Sequence, residues 1–337
     1  MTAPIPLVSP DRDVELLARL ADARTRLLKQ IGRRIVGQTA VLDGILTAIL
    51  AGGHALLVGV PGLAKTLMVQ SVADALQLRF SRIQFTPDLM PSDITGTDVI
   101  EEDMTTGRRA FRFVKGPIFA NVILADEINR TPPKTQAALL QAMQEHEVTA
   151  AGQTYALAAP FFVLATQNPI EQEGTYPLPE AQLDRFMLEL YVDYPTREEE
   201  ERIVEWTTGD VAAEIAPVLT ADELIQLQRL VRRVPAPKIV VETAVRIARM
   251  TRPVAAGAPD VVKEYVAWGA GPRASQYMVL GAKARAAMDG RPMADLEDLD
   301  AVVLPVLRHR IVVNFNAEAA GKKSDEIVRE VAARAAR

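Results

Sequence analysis

The sequence predicts an α/β fold in which a central, parallel five-stranded sheet with helical crossovers is followed by a smaller, all-helical domain. Three observations carry this. Apolar runs at His54–Val58, Phe80–Phe85, Asn121–Ala125, Phe161–Thr166 and Met187–Val192 are separated by helical or irregular stretches, as in a parallel sheet built from crossover units. The first run breaks into Gly59-Val60-Pro61-Gly62-Leu63-Ala64-Lys65-Thr66, a small-residue strand-to-helix turn. Beyond Tyr194-Pro195 strand signals nearly vanish, so the chain divides into residues 1–194 and 195–337.

Composition sets the outer limits. At 337 residues, 49% of them hydrophobic, the chain can bury a large core and make two domains. It has no cysteine, and His54, His146 and His309 lie far apart, so neither disulfides nor thiolate zinc sites are expected. Residues Met1 to Asp13 are proline-bearing and acidic rather than basic-then-apolar, and nowhere do eighteen apolar residues run together, so a cytoplasmic protein without membrane insertion is expected. A net charge of −5 with both signs mixed favours protein partners over nucleic acid.

The elements follow in order. Leu16, Leu17, Leu20, Leu27, Leu28 and Ile31 recur at helical spacing between Val14 and Arg34, giving an amphipathic helix. Val36-Gly37-Gln38 turns into a second helix that stops at Gly52-Gly53. After the first strand, the turn presents consecutive backbone N–H groups and a helix N-terminus, which together favour a phosphate. Lys65 is expected to reach the β- and γ-phosphates, and the Thr66 hydroxyl to ligate magnesium. Ala64 stands where the general motif has glycine. A negative φ is expected there, and a positive one counts against the cradle.

Between Thr86 and Gly116 prolines and glycines, Gly107 among them, interrupt the pattern, and Arg109–Phe113 alternates like a hairpin arm, so this is an insert. The strand Asn121–Ala125 runs into Asp126-Glu127-Ile128-Asn129-Arg130. Asp126 at a strand's carboxyl end suits magnesium held through water, and Glu127 suits a general base; a charged strand-to-loop transition has the same appearance. Thr131-Pro132-Pro133 opens a helix to about Glu145, with Thr131 as its cap. Val148–Leu157 reads as a hairpin turning at Ala151-Gly152-Gln153, with no Lys or Arg between Glu145 and Leu157.

The strand ending at Thr166 leads to Gln167-Asn168-Pro169. The Asn168 amide could bond a γ-phosphate or the attacking water, though Asn before proline also starts turns. Arg185, in the short helical segment Leu178–Phe186 at the sheet's edge, could reach a neighbouring subunit's site, or pair with Glu180 or Asp184. In the second half, Thr220–Glu223 forms a capping box, Pro235 and Pro237 separate two helices, and Gly271-Pro272 starts another at Arg273. A cation in that first turn opposes the helix dipole, so Arg273 either meets an anionic ligand or points into solvent. A later helix should break or kink at Pro305, and Ser324 caps the last.

Taken together, these motifs resemble those of the MoxR family of AAA+ ATPases, from about Ile35 to the C-terminus. The stretches concerned are Val36-Gly37-Gln38, Gly59–Thr66, Ala125–Arg130, Thr166–Pro169, Glu180–Phe186 and Gly271–Ala274. The resemblance implies a P-loop NTPase core with a helical lid, and ATP and Mg²⁺ as cofactors. Residue by residue it implies Walker A roles for Lys65 and Thr66, with Gly59, Pro61, Gly62, Leu63 and Ala64 forming the loop. Asp126 and Glu127 become Walker B, Asn168 sensor 1, Arg185 an arginine finger and Arg273 sensor 2. Gly37 and Gln38 would lie near the adenine. The insert at 86–116 and the hairpin at 145–157 resemble the helix-2 insert and pre-sensor-1 hairpin of this branch. Ala64 no longer counts against the site, because the family commonly has alanine there.

The family further implies a homo-oligomeric, hexameric ring acting as a chaperone-like remodeller or maturation factor, often for proteins with a von Willebrand factor A domain. A nucleic-acid translocase or chelatase-type motor is the alternative within the related branch; its hairpin should present cations to phosphates. A slow ATP-dependent assembly switch is a third.

Overall fold

The computed structural model describes residues 10–102, 109–150, 152–170, 174–209 and 214–335. Gly107, Ala151 and the first nine residues, all used in the sequence reading, lie outside them. Two helices open the chain, α1 (Pro10–Ile31) and α2 (Thr39–Ala51), and β1 (Ala55–Val58) leads through the turn into α3 (Lys65–Ala75). After β2 (Phe80–Gln84), the insert holds α4 (Pro91–Thr95) and the antiparallel pair β3 (Gly96–Glu102) and β4 (Arg109–Lys115). Then come β5 (Val122–Asp126), α5 (Pro133–Glu145), the hairpin β6 (Glu147–Ala150) and β7 (Gln153–Ala156), β8 (Phe162–Gln167), α6 (Glu180–Leu183) and β9 (Leu188–Tyr191).

Helices dominate the rest: α7 (Arg197–Thr207), α8 (Ala221–Arg233), α9 (Lys238–Met250), α10 (Asp260–Tyr265), α11 (Pro272–Met288), α12 (Leu296–Leu307), α13 (Phe315–Ala319) and α14 (Ser324–Ala335). One short antiparallel pair interrupts them, β10 (Val266–Trp268) with β11 (Val312–Val313). The second half is therefore helical with a small β-ribbon, where the sequence suggested helices alone.

Two compact units form. The first comprises residues 30–45 and 53–221 and holds the five-stranded sheet, in the order β2-β5-β8-β1-β9 with every pairing parallel. All five residues of β5 are buried, which is why Val122–Ala125 read as an unbroken apolar run: both faces of a parallel sheet are covered. Alternation then sorts the side chains. Ile83, Phe85, Ile123, Ala125, Val163 and Ala165 join a core with Leu139, Leu140 and Met143 of α5. Arg82, Gln84, Asp126 and Thr166 occupy the alternate positions of the same three strands, so they share the opposite face. In register Gln84 lies beside Asp126, and Val58 beside Gln167, so the strand ends meet along one edge.

Of the described residues, the second unit comprises 10–29, 46–52 and 222–335. Helix α1 up to Lys29 thus belongs with the C-terminal helices, whereas its place in the sequence puts it in one domain with residues up to 194. Local chemistry explains it: Asp13 accepts from Arg233 at 2.7 and 2.9 Å, Arg24 donates to Asp289 at 2.9 Å, and Arg19 pairs with Glu223. The apolar stripe of α1, with Leu20 1% exposed, supplies the packing.

One local expectation fails. Thr131 does not cap α5; Pro132 holds that position, and the buried Thr131 hydroxyl has no hydrogen-bond partner. Of the break or kink expected at Pro305, the break does not occur: helix α12 runs through Pro305 to Leu307. The missing N–H costs one intrahelical bond, which the burial of Val302, Val303, Val306 and Leu307 outweighs.

Candidate functional site

The turn between β1 and α3 is built for close backbone approach. A Cβ on Gly59 would stand 2.6 Å from the Val192 carbonyl oxygen, so glycine is required there. Gly62 has φ 86° and open space where a Cβ would lie. Ala64 has φ 53° and ψ 24°, in the left-handed region, so the negative φ expected from the sequence is wrong. Judged on the φ expected from the residues alone, Ala64 counts against the cradle; what is wrong is the premise that alanine holds this position only at negative φ. Glycine is usual at this position because the turn demands a positive φ, and alanine adopts the same backbone at a cost of about 1–2 kcal/mol. Such strain is characteristic of ligand-holding turns.

Lys65, half-buried, folds back to donate to the carbonyls of Gly59 at 2.6 Å and Val60 at 2.7 Å. Burial lowers its pKa, while the carboxylates of Asp126 and Glu127 act in the opposite direction. Lys65, Asp126 and Glu127 are therefore brought into one electrostatic neighbourhood, as the sequence led us to expect. Thr66 follows in the first turn of α3.

Thr166 joins the two acids. Its hydroxyl donates to Asp126 Oδ1 at 2.6 Å and accepts from the Glu127 N–H at 2.8 Å. Asp126 Oδ2 accepts from Arg82 Nε at 3.0 Å and Nη2 at 2.6 Å. Glu127, with φ 57° and ψ 48°, turns the chain sharply out of β5. Its Oε2 accepts from Gln84 Nε2 at 3.0 Å and Arg130 Nε at 3.2 Å. Thr166, Arg82 and Gln84 were not singled out in the sequence. The signal for the last two was present in Phe80-Ser81-Arg82-Ile83-Gln84-Phe85, where polar residues at i and i+2 share one face of a strand.

Asn168 lies two residues beyond Thr166 and is 7% exposed; its Oδ1 accepts from the Ile170 N–H at 3.1 Å. The turn-starting role is thus realised, at a strand end adjoining the two acids. Gly37 and Gln38 have φ 69° and 56°. A Cβ on Gly37 would collide with Glu199 Oε1 at 2.1 Å, and Gln38 Nε2 donates to the Asp193 carbonyl at 2.8 Å. Because Gly59 abuts Val192, this turn and the start of the cradle contact adjacent residues, Asp193 and Val192, just after β9.

Two expected residues lie on other elements. Arg185 precedes the edge strand β9, is partly buried and donates to the Leu140 carbonyl of α5. Arg273 lies in the first turn of α11, within the other unit.

The donor set suits a magnesium–nucleotide complex. It offers a carboxylate and a hydroxyl as hard oxygen ligands, an ammonium beside an open glycine turn, and a helix N-terminus.

Comparison with known proteins gives the family. Residues 54–188 match the ATPase family associated with various cellular activities (AAA), and residues 259–331 match the AAA lid domain. Chaperone MoxR1 of Mycobacterium tuberculosis is 42% identical over 96% of this chain and 83% of its own length. Protein YeaC of Bacillus subtilis is 41% identical over 91% and 92%. A crystal structure of a provisionally assigned ATPase from Cytophaga hutchinsonii superposes with a TM-score of 0.87 and 38% identity, covering 94% of this chain and 95% of that one. The fold and the two family matches together define an AAA-type ATPase core and an AAA lid domain. More narrowly, the chain belongs to the MoxR family of AAA+ ATPases.

Proposed function

We propose that this protein hydrolyses ATP with magnesium at a site completed between subunits of a hexameric ring, and uses the cycle to remodel or mature partner proteins. The observation that carries the reading is the Thr166 hydroxyl, which binds Asp126 and Glu127 at once beside the Lys65 turn. Lys65 would exchange its bonds to Gly59 and Val60 for phosphate oxygens, taking a desolvated charge to an anion. Thr66 and Asp126 would hold the metal, Asp126 through water. Magnesium, when bound, offsets charge on the β- and γ-phosphates.

Glu127 would polarise the attacking water, its backbone fixed by Thr166 and its carboxylate oriented by Gln84 and Arg130. Asn168 would present an amide to the same region, and Gly37 and Gln38 would flank the base. Arg185 would act on a neighbour's nucleotide, and Arg273 would sense it from the lid. Partner proteins are the favoured clients, proteins with a von Willebrand factor A domain among them. The MoxR1 relative is named a chaperone, and the hairpin β6–β7 offers no cation to a nucleic acid. No helix among the described residues is long and apolar enough to cross a membrane, and we place the protein in the cytoplasm.

Magnesium-dependent ATP turnover tests the reading directly. Wild type should exceed Glu127→Gln by at least about 100-fold, the contribution expected of a general base. Equal rates would overturn it.

A further inference from the structure

Five residues close a ring at the ends of β2, β5 and β8. Arg82 donates to Asp126 Oδ2, Thr166 donates to Asp126 Oδ1, and the Glu127 N–H donates to Thr166. Glu127 Oε2 accepts from Gln84 Nε2, and Gln84 Oε1 accepts in turn from Arg82 Nη2. Arg82 is thus the one cation in this ring. It gives two N–H bonds to a single oxygen of a carboxylate that is itself only 12% exposed, while its own side chain is 47% exposed. The acid is held in place and shielded, and the cation that covers it is half exposed to water.

A buried carboxylate is costly without a counter-charge. Arg82 supplies that charge, and so would a divalent cation. The two cannot both be fully engaged by Asp126 Oδ2, which already accepts two hydrogen bonds. We propose that Arg82 is an internal counter-ion that competes with the divalent metal for Asp126 and thereby sets the metal affinity of the site. The inference rests on the reading of residues 59–66 and Asp126 as a nucleotide–metal site. It gives Arg82 a regulating role rather than a catalytic one, since Arg82 need touch neither nucleotide nor water. Its release would also free Gln84 Oε1, linking occupation of Asp126 to the hold on Glu127.

The sign of the effect separates this from a structural role. If Arg82 merely orients Asp126, removing it weakens metal binding. If Arg82 competes, removing it strengthens metal binding. The measurement is the affinity of a fluorescent ADP analogue, by anisotropy, in EDTA and at saturating Mg²⁺; the ratio of the two reports how much the metal adds.

For Arg82→Gln the affinity in EDTA should match wild type, and the gain from Mg²⁺ should be about fivefold larger, the size expected for losing one partly exposed ion pair. Arg82→Lys keeps the charge but loses the two-pronged geometry, so its gain should lie between. Arg82→Lys also decides the matter if Arg82→Gln does not fold, as judged by thermal unfolding. A gain equal to or smaller than wild type's, in a folded variant, overturns the proposal. A different result marks failure of the underlying reading: wild type binding no analogue in either buffer, or Lys65→Ala binding it as well as wild type.

Discussion

Replacing Thr166 by valine tests the link between packing and chemistry at the strand ends. The side chain is 1% exposed and valine fills nearly the same volume, so no cavity term enters. What is lost is a 2.6 Å bond to the Asp126 carboxylate and a 2.8 Å bond from the Glu127 N–H. A hydrogen bond to a charged group contributes about 1.5–3 kcal/mol, and an unpaired buried N–H costs about 1–3 kcal/mol. The terms overlap, so we expect a destabilisation of about 2–4 kcal/mol.

Turnover should suffer more selectively. Both acids would lose a positional constraint while the Lys65 turn keeps its own, so kcat for ATP should fall by about tenfold or more, with KM within about twofold. Thr166→Ser restores both bonds and should recover most of the turnover. Denaturant unfolding and steady-state kinetics on the three proteins decide the point. Wild-type stability and kcat in Thr166→Val would refute the account of Thr166 as the joint between the acids.

Three further outcomes follow from the structure. His54 donates through Nε2 to the Met143 carbonyl and accepts at Nδ1 from the Val163 N–H. Burial lowers its pKa to about 4, against the bond to Met143 and with the help of His146. The unfolded chain therefore takes up a proton near pH 6.5 that the folded one refuses until about pH 4. Stability present above pH 6.5 should be lost progressively down to about pH 4, by about 3 kcal/mol in total. Denaturant titrations at pH 7 and 4.5 should show this in wild type and much less in His54→Asn; identical slopes would exclude it. At Ala64, glycine should relieve about 1 kcal/mol of strain but lose about as much to chain entropy, leaving stability and ADP affinity within about 1 kcal/mol and threefold of wild type. Ala64→Val, β-branched at positive φ, should weaken ADP binding at least tenfold, and unchanged binding would show that the left-handed turn is not required. Arg185→Ala should abolish ATP turnover while isolated subunits bind ATP as before; an equal loss of binding would show that Arg185 acts within its own subunit.

The five strands, the turn at 59–66 and the pair Asp126-Glu127 are legible in the residues alone, because each depends on local signals: apolar runs buried on both faces, small residues at a tight turn, acids at a strand end. The motifs further along the chain were read by resemblance, and Asn168 shows why. Its sequence neighbourhood fits a turn starter, which it is, and only the pairing of β8 with β5 and β1 sets that turn beside the acids.

Where local reasoning failed, a tertiary term had overridden it. Alanine disfavours a positive φ, yet the turn imposes one at Ala64. Proline disfavours a helix interior, yet buried neighbours carry α12 past Pro305. An N-terminal helix adjoins the sheet in sequence, yet ion pairs to Arg233 and Asp289 assign α1 up to Lys29 to the C-terminal unit.

The sequence by itself thus determined the class of fold and singled out the residues we propose to cradle phosphate, since both readings rest on spacing and residue type. Only the tertiary structure decided that Arg82, Gln84 and Thr166 join Asp126 and Glu127 in one ring. Those five residues are separated by up to 84 positions, read from Arg82 and Thr166, and strand order and register, which no local pattern encodes, bring them within hydrogen-bond distance.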